Sequence, residues 1–246
     1  MNDPLRLPCP TCSGTRSTTT GDRHADTNMD VCATCHDEGW IPARTGESPE
    51  ASFQHSPTVR RIIGPTILLA SGNYFDLLAP EHSTFTIEDV AHGLSNTCRF
   101  AGQCIRFYSV AQHSVIVSQH VPPEFAFAGL MHDAAEAFIG DITKPLKDIL
   151  PDYRALEKRI EAAVLQRFGL PAVMPPEVKE IDVVMLATEQ AQLMRNRDDW
   201  NYTRGRTPIP IEIPAMGPEA AKAAFLARYA EVRAQGTGIS LAGKAA

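Results

Sequence analysis

The chain has 246 residues, 43% hydrophobic and 21% charged, with a formal net charge of −6, which allows one sizeable core plus a small appendage, or two modest domains. The acidic balance excludes a global electrostatic pull toward nucleic acid or an anionic membrane, so any phosphate must be met locally. The start MNDPLRLPCPTCSGT lacks the charged and then apolar run of a secretory signal and no long apolar run follows, so a cytoplasmic protein with no membrane span is expected.

Residues 1–40 are rich in Thr, Gly, Asp and Cys and have almost no apolar periodicity. In a reducing compartment cysteines are metal ligands or core residues more often than disulfides. Cys9-x-x-Cys12 and Cys32-x-x-Cys35 are separated by nineteen residues, a spacing that wraps four thiolates around one structural zinc, with His36 as an alternative ligand. Metal binding would supply the folding free energy that so short a segment cannot obtain from a core. Through CPTCSGT and CATCHDEGW the segment resembles a zinc ribbon or the cysteine-rich repeat of certain chaperones. Its cations Arg6, Arg16 and Arg23 face Asp3, Asp22, Asp26, Asp30, Asp37 and Glu38, a balance that argues against a grip on a nucleic-acid backbone.

Residues 41–62 read as a linker, dominated by Pro, Ser, Gly and charge. PTILLASGNYFDLL then places apolar residues around Ser71, Gly72 and Asn73, which predicts a short β-hairpin, expected to be the only sheet. A helix over about 87–99 opens with Thr86 and Asp89 in a capping-box pattern. SVAQHSVIVSQHV forms the next helix, with Val110, Ser114 and Val117 on one face. PPEFAFAGLMHDAAEAFIG reads as one helix with Pro at its start and Gly140 as its stop. Further helices are expected over 152–168, ending at Gly169, and over 176–195. The 198–216 segment is Pro-rich and irregular, and a last helix carries Phe225, Tyr229 and Val232. The fold class is therefore all-α with a short hairpin, residues 63–246 forming one domain behind the small N-terminal module.

Ionisable groups interrupt the apolar pattern of the helix around 132. Four residues return almost to the same face of an α-helix, so Glu136 is expected one turn from His132, with Asp133 about 100° around. Burying such groups unpaired costs several kcal/mol each, roughly, and a divalent cation satisfies imidazole and carboxylate together. One helix cannot complete a metal shell. His113 in VAQHSV and Asp182 in KEIDVVMLATE sit on other apolar helix faces and are the candidates to complete it.

At these residues the sequence resembles the HD-domain metal-dependent phosphohydrolases, whose pattern is a His, then an adjacent His-Asp pair, then a distant Asp. Here these are His113, His132 with Asp133, and Asp182. The closer likeness is to a branch containing small 5′-deoxynucleotidases and phage-type deoxynucleoside triphosphohydrolases. It is carried by CRFAGQCIRFYSVAQHS, LMHDAAEAFIGDITKPLK and IDVVMLATE and covers roughly residues 65–232.

The resemblance implies an HD-type helical bundle holding one divalent metal (Mn, Co, Mg, Ni, Fe or Zn) and a small-molecule nucleotide substrate, dNMP or dNTP. It also allows a homodimer. By it Glu136 matches the catalytic acid/base, Asp141 a second carboxylate near the attacking water or the sugar, and Arg99 the phosphate-binding arginine. Lys147 is a second phosphate contact, with Lys144 and Arg106 as weaker ones. The substrate pocket is expected near Phe100, Gly102 and Tyr108. His92 either supports Arg99 or caps a packing contact, and Glu189, seven residues after Asp182, faces the same way and anchors a basic residue. The competing readings are a zinc-ribbon adaptor whose second domain binds nucleotide or a protein without turnover, and a hydrolase of a signalling nucleotide.

Overall fold

The computed structural model of the chain describes residues 6–8, 40–42 and 64–236. Two compact units divide the chain, Met1–Arg61 and Ile62–Ala246. In the first, strand β1 (Arg6–Pro8) pairs antiparallel with β2 (Trp40–Pro42), Leu7 opposite Ile41. The hairpin is thus not the only sheet: β2 extends into the first residues of the expected linker. Cys9, Cys12, Cys32, Cys35 and His36 lie outside the described residues.

The second unit opens with the hairpin, β3 (Thr66–Leu68) against β4 (Tyr74–Asp76). Its turn needs Gly72, whose φ of 85° lies in the left-handed region that favours glycine. The rest of the described unit is mostly helical: α1 (Ile87–Asn96), α2 (Val110–His120), α3 (Ala126–Met131), α4 (Glu136–Ile139), α5 (Lys144–Ile149), α6 (Pro151–Arg167), α7 (Pro176–Leu193) and α8 (Pro218–Ala234).

Local chemistry sets most of these boundaries. Thr86 and Asp89 form a reciprocal capping box at the start of α1, which satisfies donors that a helix N-terminus leaves free. Asp89 also accepts from the Ser71 backbone N–H at 3.2 Å, tying the hairpin turn to α1. Ser109 caps α2 by accepting from the Gln112 N–H. Gly140 and Gly169, at φ 76° and 77°, follow α4 and α6, and Pro176 begins α7 where its missing N–H costs nothing.

α2 is the central helix, with Val110, Ala111, His113, Ile116 and Val117 all buried. It lies against α3, α7 and α8. Gly129 permits the approach of α3, since a Cβ there would stand 3.0 Å from Val121 and 3.2 Å from Ser118. A second cluster fixes α4: the Phe138 ring stacks on Phe75 of the hairpin at 4.0 Å and meets Phe85 edge-on at 5.0 Å. Burying each ring contributes roughly 1.5–3 kcal/mol, and this cluster anchors the element that begins with Glu136.

Three boundaries differ from expectation. α1 stops at Asn96, because Thr97 turns its hydroxyl back to the Gly93 carbonyl at 2.8 Å and the chain becomes extended. α5 forms where no helix was expected. The single helix expected over 123–139 is broken: a 3-10 turn (Pro123–Phe125) precedes α3, and turns at His132–Ala135 separate α3 from α4.

Candidate metal centre

The break at His132–Ala135 sets the geometry of the centre. Ala134 N–H donates to Met131, Glu136 to Asp133 and Ala137 to Ala134, all three residues back. Such bonds tighten the chain to three residues per turn, so positions i and i+3 eclipse. Asp133 and Glu136 therefore share a face, whereas α-helical spacing had paired Glu136 with His132.

α2 brings His113, the turn brings His132 and Asp133, and α7 brings Asp182. His113, His132 and Asp182 each present one ligand atom, all within 4.8 Å of one another, a cluster that could hold a metal ion. The two Nε2 atoms are 3.2 Å apart, and Asp182 Oδ1 stands 3.2 Å from His113 Nε2 and 3.8 Å from His132 Nε2. Asp133 Oδ2 lies 3.2 Å from His132 Nε2 and 3.6 Å from His113 Nε2, yet it is buried with no hydrogen-bond partner among the described residues.

The donor chemistry fits a cation. His113 Nδ1 faces Glu189 Oε1 at 2.6 Å and His132 Nδ1 faces the Gly129 carbonyl at 2.8 Å. Both partners accept only, so both Nδ1 atoms carry protons and both Nε2 lone pairs turn inward. Two lone pairs and the Asp182 carboxylate meeting within 4.8 Å, with Asp133 beside them, repel unless a positive charge lies between them, which protons or a metal ion can supply. Borderline nitrogen and hard oxygen donors suit a divalent first-row ion or Mg²⁺.

Arg99 borders this cluster. Its guanidinium donates to Glu189 Oε2 at 3.1 Å and stands 3.6 Å from Asp133 and 3.8 Å from Asp141. Glu189, fully buried, also accepts from the Tyr108 hydroxyl at 2.7 Å, so one carboxylate orients a histidine, an arginine and a tyrosine. Tyr108 is buried beneath the centre and does not line the cleft.

Glu136 is buried, and Lys147 donates to its Oε1 at 3.3 Å while Oε2 has no partner among the described residues. Burial, reinforced by the charges of Asp133 and Asp141, pushes its carboxyl well above the ordinary range. Burial also raises Asp141, against the pull of Arg99. Lys147 is held from its other side by Glu157 at 2.6 Å.

A cleft of about 1060 Å³ opens over these groups, lined by Arg99, Asp133, Glu136, Asp141, Lys147 and Asp182, and also by Phe100, Lys144 and Trp200. Lys144 is exposed and paired with Asp148 at 2.7 Å. Gly102, like Tyr108, does not line the cleft, and two further sequence candidates fall elsewhere. Arg106 donates to the Ile213 carbonyl and does not line the cleft. His92 is exposed on α1, where it offers Arg99 no support. Trp200 was missed because its Pro-rich surroundings have no periodicity from which to read a face.

The chain is similar to two curated proteins. It is 44% identical over 163 residues to the uncharacterized protein YfdR of Escherichia coli (strain K12), covering 65% of this chain and 90% of that one. It is 33% identical over 180 residues to the uncharacterized protein RCAP_rcc00048 of Rhodobacter capsulatus, covering 65% of this chain and 92% of that one. No family model matches. No described helix is long and apolar enough to cross a membrane. At these identities and coverages, the chain belongs to the same family as YfdR and RCAP_rcc00048.

Proposed function

We propose that the chain is an HD-type, metal-dependent phosphohydrolase that removes phosphate from deoxynucleotides, dNMP or dNTP. The observation that carries this reading is Glu136: a buried carboxylate with one oxygen unpartnered, in the cleft that Asp133 and Asp182 also line, Asp182 lying within 4.8 Å of the His113 and His132 ligand atoms. A buried acceptor left unpaired is costly, a cost that a water bound in the cleft would relieve.

His113, His132, Asp133 and Asp182 would hold the metal. When bound, a divalent ion polarises a phosphate oxygen and lowers the pKa of a neighbouring water. Glu136 orients the attacking water and takes its proton through Oε2, for which a raised pKa suits it near neutral pH. It returns that proton to the leaving oxygen as the P–O bond breaks. Arg99 offsets the charge on the equatorial phosphate oxygens, and Asp141 holds the guanidinium toward the cleft. Lys147, anchored by Glu157, lines the cleft where it would meet the phosphate. Cys9, Cys12, Cys32 and Cys35 would bind a separate structural zinc.

The test is phosphate release from a panel of deoxynucleoside mono- and triphosphates with Mn²⁺, Co²⁺ or Mg²⁺. Metal-dependent release is expected for at least one group of substrates. Silence across the panel would favour a binding module without turnover and end the hydrolase reading.

A further inference from the structure

The ionisable groups occupy only part of the cleft, and two aromatic rings stand in the rest of its wall. Phe100 and Trp200 have centroids 6.1 Å apart and planes inclined by 51°. Neither ring covers the other's face, and both side chains are only half-buried.

Each ring is held by its backbone. Phe100 and Ala101 have φ of 54° and 51°, and Gly102 follows at 75°. Two successive non-glycine residues in the left-handed region persist only where their surroundings impose it, and such strain gathers at ligand sites. The loop is pinned at its neck by the Cys98–Ser109 bridge and by the Arg99 N–H donating to the Tyr108 carbonyl at 2.9 Å. Farther along, the Ile105 N–H donates to the Leu193 carbonyl at 2.9 Å. Trp200 is fixed from another element: the Thr203 N–H and hydroxyl close on its carbonyl at 2.9 and 2.7 Å, and Gln190 holds the neighbouring Asp198 carbonyl at 2.7 Å.

The strained loop also joins the two ends of the cleft. Arg99 precedes Phe100, and its guanidinium carbon lies 5.6 Å from the Phe100 ring centroid. A ligand whose anionic end meets Arg99 therefore has an aromatic surface within reach of its next few atoms. A nucleotide has that composition, with phosphate at one end, a sugar between, and a flat π-system at the other.

We propose that the open faces of Trp200 and Phe100 form one side of a jaw, on which the nucleobase lies by stacking, so that the site selects nucleotides over abasic sugar phosphates and purines over pyrimidines. The inference rests on the phosphohydrolase reading for the phosphate end and adds the part of the substrate that is recognised. Stacking tolerates every base because each has a π-face, and it strengthens with the area of the ring.

Trp40 and Trp200 are the chain's two tryptophans, so binding is readable without turnover. In the full-length Glu136→Gln protein with Mg²⁺, the background in which the Trp200 variants are also made so that nucleotide is not consumed, dAMP and dCMP should quench the emission, dAMP at lower concentration, and deoxyribose 5-phosphate should not. The quenching should vanish in W200F. Calorimetry should show W200A binding dAMP about tenfold more weakly, with W200F keeping most of the affinity. In W200A the preference for dAMP over deoxyribose 5-phosphate should collapse by the same factor. Unchanged quenching in W200F, or an unchanged preference in W200A, overturns the jaw. A protein that binds nucleotide through Trp200 and hydrolyses none of the panel overturns the phosphohydrolase reading alone.

Discussion

Glu189 Oε1 stands 2.6 Å from His113 Nδ1, and neither side chain has any exposed surface. The contact fixes which nitrogen of His113 carries the proton and aims the other at the cluster, as partners behind metal ligands commonly do. Glu189→Gln keeps the shape and removes the charge that His113, Arg99 and Tyr108 share. It should weaken metal binding by about tenfold, as read by calorimetric titration with Mn²⁺. An affinity equal to that of the parent protein would detach Glu189 from the centre.

Under the proposed function, Glu136 serves turnover and stays outside the ligand set. Glu136→Gln preserves an acceptor for Lys147 while losing the proton-taking oxygen, so kcat should fall by about 10²–10⁴. Metal content should stay at the parent stoichiometry. Retention of most of the activity would remove Glu136 from the mechanism.

Proton and metal compete for the same nitrogens. Burial by itself would lower His132, but Asp133 and Asp182 outweigh it and hold the imidazole well above its usual value. His113 is also raised, since Glu189 and Asp182 outweigh burial and the repulsion of Arg99. A folded pKa above the unfolded value of about 6.5 gives stability that is complete below about pH 6.5 and is lost as pH rises through the folded value. A metal ion requires those nitrogens free of protons, so its contribution grows over the same window. The difference in Tm between metal-loaded and chelated protein should widen from about pH 6 to about pH 8. A difference independent of pH would argue against imidazole ligands.

Gly93 lets α1 lie directly on the turn that carries Glu136. A Cβ there would stand 2.5 Å from the Ala137 carbonyl oxygen and 2.8 Å from the Ala137 Cα, both backbone atoms with little room to move. Gly93→Ala should cost about 2 kcal/mol, a fall in Tm of roughly 4–8 °C. Displacing Glu136 should lower kcat as well. A melting temperature at or above the parent's would show that the helices separate without penalty.

The N-terminal cysteines make a separate prediction about metal content. Removal of an ion held by the His113, His132 and Asp182 cluster by mild chelation should leave about one zinc per chain, because a closed thiolate site releases its metal far less readily than an open one. Cys9→Ser with Cys12→Ser should abolish that residual zinc in elemental analysis. Zinc persisting in the double variant would place it elsewhere.

Much of the fold was legible where the signal is local. The Thr86 and Asp89 pair, the glycines at 72, 140 and 169, and Pro176 act within one or two turns of chain, so sequence reasoning located those boundaries. The turn at His132–Ala135 was not legible, since a four-residue tightening from 3.6 to three residues per turn has no apolar period of its own from which to read it. α1 was read three residues too long because Thr97 ends it through a side-chain hydrogen bond, and a threonine is also compatible with a helix. His92 was set by helical spacing on the face of Arg99, seven residues on, but α1 ends at Asn96 before that arginine, so the spacing does not carry across.

The sequence by itself determined the inventory: which imidazoles and carboxylates interrupt apolar helices, and hence that burying them demands a compensating charge. Only the tertiary structure decided how they meet. It put Asp133 and Glu136 on one face, set Glu189 behind His113 and Arg99, and brought Trp200 to the cleft from a segment without periodicity. The physical reason is range. Capping and turn preferences are settled between neighbouring residues, while the meeting of side chains 50 to 100 positions apart is settled by which helices must pack to bury the core.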